Sequence, residues 1–368
     1  MDVDSNTQII DVRSHVDFRA ISFSEYKKTE VKKQILLAIF QGKIEPACYW
    51  CAEMVCAGHF TDIWEICLLY LSKHVHLGNP KLPIYLEKRF AVFRNIMQQG
   101  MFYDDLQLRN HQTIRDMFAE IMCVLASSPK KNSIELVKIN RVEEFDITNF
   151  QERLKAPSVK FAEPFFRKED PKELWIAVNE FTYQISTTEN HIPNAILACY
   201  WVEWIIAFDE ICKKKKTKCM CDRRAEIGVD PKYQKEVIWL LWDALIHVAK
   251  GRENPFLNTL MTSLLKLFCI KFTAGTSKKR RYLIYFAVST LTEPLMPNIE
   301  LIADKTVLNT VVKKINTIYT QIKKNEQSPN LDYMFSGLES SRNMQKTMIQ
   351  MEMMSSMDPA LSGSINEL

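Results

Sequence analysis

The sequence predicts a mainly α-helical fold: two helical bundle domains joined by an extended proline-containing arm and followed by a flexible C-terminal tail. Three observations carry that expectation. Glycine is scarce, 9 in 368 residues or about 2.4% against a usual ~7%, too few for the tight turns of a multi-hairpin β architecture. Apolar residues recur at three- and four-residue spacing between helix start and stop signals. Prolines punctuate one region, at Pro157, Pro164 and Pro171, in seven-residue steps.

Residues 1–23 form a polar N-terminal extension, acidic at its start, without the basic-then-apolar pattern of a secretory signal, so the chain is expected to begin in the cytosol. The first bundle is placed at 24–128. Ser22 or Ser24 can cap a helix through Val31, Ile35, Leu36 and Ile39, which Gly42 stops. Pro46 suits the first turn of a second helix, running past Trp50 to Gly58. Thr61 and Asp62 offer caps for Ile63 to His76, and Pro83 to Gly100 and Asn110 to Ala126 complete the set. Residues 129–171 read as the extended linker, with room for one short strand between Ser133 and Phe150.

The second bundle is placed at 172–324: Glu173 to Ile185, Pro193 to Cys212, Pro231 to Gly251, Asn254 to Lys271, Tyr282 to Leu291 and Asp304 to Lys324. Residues 325–368 lose periodicity and form a Met- and Ser-rich tail. Ala47-Cys-Tyr-Trp50 recurs as Ala198-Cys-Tyr-Trp201, and Asn79-Pro-Lys81 recurs at the same offset as Asp230-Pro-Lys232, which suggests duplicated halves. No apolar stretch reaches the ~18 residues of a membrane span.

Function classes are narrowed by what is missing. G-x-G-x-x-G, G-x-x-x-x-G-K-[ST] and G-x-S-x-G do not occur, which argues against dinucleotide, P-loop and serine-hydrolase chemistry. Lys and Arg total 48 against 44 Asp and Glu, a net charge of +4, so any polyanion site must be local. Cys48, Cys51, Cys56 and His59 have zinc-like spacing, but on a continuous helix they climb roughly 16 Å along one face, too far for one metal ion. They read as a core seam; no metal and no cofactor are expected. Glu53 and Glu203, on apolar helices, are the carboxylates considered as general acids, and without a convergent partner they read as structural, so no catalytic residue and no small-molecule substrate are assigned.

Two basic clusters remain: Lys213, Lys214, Lys215, Lys216 and Lys218, and Lys278, Lys279, Arg280 and Arg281, with a smaller pair at Lys130-Lys131. They suit phosphates or an acidic partner, while the lack of interleaved aromatics argues against sequence-specific nucleic-acid recognition. Cations near Cys212, Cys219 and Cys221 are expected to lower those thiol pKa values. In the tail, Met344, Met348 and Met351 share one helical face that could enter a partner's groove.

Through Ile44-Glu-Pro-Ala-Cys-Tyr-Trp-Cys-Ala-Glu-Met-Val-Cys-Ala-Gly-His-Phe60, Trp64-Glu65, His76-Leu-Gly-Asn-Pro-Lys81 and Asp170-Pro-Lys-Glu-Leu-Trp-Ile-Ala-Val-Asn-Glu-Phe181, the chain resembles an uncharacterised helical family of nucleocytoplasmic large DNA viruses, similar to minor capsid proteins. The resemblance implies a non-enzymatic structural protein of a large icosahedral virion, present in host cytoplasm during assembly. It would cement capsomers or link the shell to an inner membrane. Its implied partners are the major capsid protein, other minor capsid proteins and inner membrane proteins. The alternative is a DNA-associated or replication accessory factor that binds polyanions through Lys213–Lys218 and Lys278–Arg281.

Overall fold

The computed structural model describes residues 7–14, 16–99, 105–140, 145, 153–187, 191–217, 219–302 and 304–327. Among them the fold is mainly α, with thirteen α-helices and, in place of strands, one isolated bridge between Ile21 and Lys27. The first half holds α1 (Lys28–Phe40), α2 (Ile44–Cys56), α3 (Phe60–Tyr70), α4 (Leu82–Gln99), α5 (Asp105–Arg109) and α6 (Gln112–Ser127). The second holds α7 (Trp175–Ser186), α8 (His191–Lys215), α9 (Ile238–Gly251), α10 (Pro255–Phe268), α11 (Thr276–Lys279), α12 (Arg281–Thr292) and α13 (Lys305–Lys323). No helix among the described residues is long and apolar enough to cross a membrane.

Local chemistry explains the ends. Ahead of α10, Asn254 accepts the main-chain N–H of Phe256 and Leu257, and ahead of α13, Asp304 accepts those of Thr306 and Val307, satisfying donors that a helix start leaves open. Ser22 and Ser24 do not cap α1, which opens at Lys28. Both hydroxyls donate to Glu53 on α2, because a carboxylate that is 0% exposed must find donors inside the fold. The helix expected from Pro231 to Gly251 is a 3-10 turn, Pro231–Tyr233, followed by α9, with the Trp239 indole donating to the Tyr233 carbonyl at 2.7 Å across the break.

The helix expected to reach His76 also changes character. It opens into a π turn, Leu71–Val75, then a 3-10 turn, His76–Gly78. Ser72 donates to the Leu68 carbonyl at 2.7 Å, and His76 takes a left-handed φ of +45°. Gly78 is required there, since a Cβ would lie 2.4 Å from the Pro129 carbonyl oxygen.

The two stretches expected to be separate bundles share one compact unit, comprising residues 7–9 and 14–325 among those described; residues 10–13 and 326–327 belong to a second, small unit. The domain division at 129–171 is thus not a break in packing. Helices α1, α2, α3 and α6 form one layer of contacts, and α7, α8, α9, α10 and α12 another. They are stitched together: α4 packs on α10, α12 packs on the π turn, and α13 returns to pack on α2 and α6. The reason is the apolar stripe of α13, where Ile315, Tyr319 and Ile322 are buried; a one-sided helix needs a face to cover, and the available one belongs to the first half. Tyr319 lies under the Arg115 guanidinium, 4.1 Å from the ring centroid.

The arm is strapped down where it is described. Main-chain N–H groups of Lys155 and Ala156 donate to Glu180 and Phe161 N–H donates to Asn179, both on α7, and the indole of Trp175, also on α7, donates to the Val159 carbonyl of the arm. Asp170 accepts from the N–H of Arg167 and Asp222 and pairs with Arg224, both side chains being 0% exposed. Lacking neighbours in a ladder, the arm's polar backbone is satisfied by these side chains instead. The echoed tetrapeptides both fall on helices with Ala47, Cys48, Ala198 and Cys199 buried. Asn79 and Asp230 cap alike, accepting the N–H of Lys81 and Lys232.

Candidate functional site

The cluster Lys278–Arg281 spans α11 and the start of α12, and its four cations are committed inside the chain. Lys278 pairs with Glu210 on α8; Lys279 and Arg280 pair with Glu65 on α3 at 3.2 and 2.6 Å; Arg281 pairs with Glu203 on α8 at 2.6 Å. Arg280 is buried and also donates to the Phe268 and Ile270 carbonyls. The two arginines are drawn inward, since a guanidinium taken out of water needs a carboxylate and carbonyls around it, whereas Lys278 and Lys279 stay 52% and 62% exposed over their carboxylates, which come from remote helices. Arg281 and Glu203, one expected to bind polyanions and the other weighed as an acid, are used on each other. Tyr285 also donates to Glu203 at 3.0 Å, and burial raises the Glu203 carboxyl despite both partners.

In the other cluster Lys213 bridges Asp209 and Glu236 at 2.7 and 2.6 Å. Lys214, Lys215 and Lys216 are exposed and carry no ion pair among the described residues. Lys218 lies outside the described residues, as do Met344, Met348 and Met351. The turn that presents these lysines is built by α8: Lys216 N–H donates to the Lys213 carbonyl and Thr217 N–H to the Cys212 carbonyl, with Lys216 at φ +54°, the helix-ending geometry usually given to glycine.

Cys219 and Cys221 are not activated. Burial, then Cys212 beside it, pushes Cys219 up to about 12, and burial with Asp170 beside it raises Cys221 further, with Arg224 opposing; desolvation, rather than the lysines expected to lower them, sets both. The seam Cys48, Cys51 and Cys56 is buried, with Cys48 pushed up to about 12 by burial. His59 instead bonds the Ile21 carbonyl at 2.8 Å. Among the described residues no three His, Cys, Asp or Glu side chains are arranged to hold a metal ion.

Two concavities stand out. One is a cleft of about 380 Å³ between the arm and α9, lined by Phe165, Arg167, Asp243, His247 and Lys250. Asp243 bonds Arg224 at 3.0 Å and is raised by burial, and Arg167 is taken by Glu226. Its lining offers an acid and a base on α9 but no Ser, Cys, Thr or Tyr nucleophile.

The other is a slot of about 190 Å³ between α1, α3 and α12, floored by Leu36, Ile66, Leu68, Leu69 and Leu283. Two ion-pair groups form its mouth: Lys32 and Lys28 on Asp62, and Lys279 and Arg280 on Glu65. Burial would raise the Asp62 and Glu65 carboxyls, but the Lys32 ammonium and Arg280 guanidinium overcome it and hold both below the ordinary value. One helical turn on from Leu36, Phe40 is 46% exposed, with the Lys130 ammonium over its ring at 5.2 Å and His74 against it. Lys130 and Lys279, from two basic clusters far apart in the chain, thus lie along one face of α1. Sequence reading missed the acidic partners Asp62, Glu65 and Glu210; only Glu65 stood inside a quoted motif.

Compared with known protein families, curated proteins and solved structures, the chain matches none of them.

Proposed function

We propose that the chain is a non-enzymatic structural protein whose activity is protein–protein contact, and that it serves as a minor capsid component of a large icosahedral DNA virus, cementing capsomers or linking shell to inner membrane. The observation that carries the contact reading is how ionic chemistry is spent. Glu53, Glu203, Asp170, Arg224 and Arg280 are all buried and all used on internal partners that tie segments remote in the chain to one another. Such networks hold one arrangement of a core rather than poise a group for turnover. What the surface then offers is the apolar, basic face along α1.

The viral setting rests on the sequence resemblance alone. Its test is quantitative proteomics and proximity cross-linking on purified intact particles. The expected result is near-stoichiometric abundance with links to the major capsid protein. Trace abundance, or links confined to the nucleoid, would sink the reading.

A second reading has one observation in its favour, the exposed Lys214 and Lys215 at the end of α8 and Lys216 on the left-handed turn that follows. A DNA-associated factor would bind duplex with an affinity that falls steeply with salt. Reversing those three charges should abolish that binding, and unchanged binding would dismiss this alternative.

A further inference from the structure

We infer that the slot between α1, α3 and α12 docks an acidic amphipathic helix from a partner protein, one apolar side chain of which seats between Leu36 and Leu283. The inference rests on the contact reading above and names the chemistry of the partner. Three features of the slot choose the occupant.

Size is the first. At about 190 Å³ it is of the order of the ~150 Å³ apolar cavities that hold a benzene ring, which suits one large apolar side chain. The second is charge. Lys279 is 62% exposed over a Glu65 that is 16% exposed, and Lys32 is 34% exposed over an Asp62 that is 25% exposed, so an arriving partner meets ammonium groups before carboxylates. The third is continuity. Leu36 of the lining is followed one helical turn on, about 6 Å, by exposed Phe40 on the same face of α1, where Lys130 adds another cation. Two apolar seats one turn apart, flanked by lysines, match a helix carrying apolar residues on one face and Glu or Asp beside them. A nucleic acid would satisfy the lysines but has no group for the apolar floor.

The test uses the full chain and a fluorescein-labelled, helix-forming peptide of about 18 residues with Leu at i, i+4 and i+7 and Glu on both flanks. Saturable binding is expected. Leu36→Glu should weaken it by at least about tenfold, since it removes the anchor's seat. Lys130→Glu with Lys279→Glu should weaken it severalfold and flatten its salt dependence, while Lys215→Glu should leave it within about twofold. Leu36→Ala is the milder variant should Leu36→Glu fail to fold, and circular dichroism checks each protein. The inference is overturned if the peptide does not saturate, if neither Leu36 variant changes its affinity, or if a 20-base-pair duplex displaces it and loses binding with the lysine pair alone. Absence of the chain from particles would remove the viral reading and leave a positive peptide result standing. Presence in particles with no peptide binding would remove only this slot.

Discussion

His76 places a pH-sensitive group at the junction of the two halves. Its ring is 1% exposed and lies tilted against Phe286 on α12, with centroids 4.8 Å apart, and neither ring nitrogen has a well-formed hydrogen bond among the described residues. Burial pushes its pKa from 6.5 down to about 4, Glu293 and the Tyr285 main chain opposing and Lys131 assisting. Because the folded value lies below the unfolded one, the neutral ring is what folding favours. Its full contribution is present above about pH 6.5 and is lost as pH falls toward 4. At about 1.4 kcal/mol per tenfold, the whole displacement is worth about 3 kcal/mol, and about 2 kcal/mol of it is lost by pH 5. That is a large part of the ~5–15 kcal/mol that holds a domain folded. The assay is urea unfolding of the wild type and His76→Asn at several pH values between about 7.5 and 4.5, Asn being a polar, non-titrating residue that shares histidine's enrichment at positive φ. Carboxylates and the other imidazoles titrate in both proteins and cancel. The stability difference between the two should shift by about 2 kcal/mol toward the variant between pH 7.5 and 5. A shift below about 0.5 kcal/mol would show that His76 is not held neutral by burial.

Other outcomes follow from single contacts. Lys216→Gly should raise stability by about 1 kcal/mol, since it relieves the left-handed backbone at φ +54°; a loss in urea midpoint would count against that geometry. Gly78→Ala should cost about 1–3 kcal/mol by driving a Cβ into the Pro129 carbonyl. The control Gly251→Ala, with nothing within 4 Å, should be neutral or stabilising, and equal effects at both sites would refute the clash. Arg224→Met should cost about 3–5 kcal/mol by leaving Asp170 charged and buried, and adding Asp170→Leu should recover much of it. If the double variant is no better than the single one, the cost lies in packing rather than in the stranded charge.

The sequence by itself determined the helical class and much of the local punctuation. Asn254 and Asp304 cap as their residue types predict, and Gly42 and Gly58 end helices at φ +71° and +72°, because capping and left-handed turns depend on a few neighbouring residues. Ser22 and Ser24 show the limit of that reasoning: they are good caps locally, but a buried Glu53 about thirty residues on competes for their hydroxyls and wins.

What only the tertiary structure decided is which charges remain available. Glu65 and Arg280 stand 215 residues apart, so no periodicity within either helix could announce that they meet. The Lys278–Arg281 run reads as a uniform basic patch until those contacts form, and then its arginines are internal ties while Lys278 and Lys279 stay exposed over their carboxylates. Lys130 and Lys279 likewise become neighbours along one face only once α1, α3 and α12 have packed. Helical periodicity reports which side of a segment is apolar, whereas the partner of that side, and the fate of each charge beside it, is settled by long-range burial.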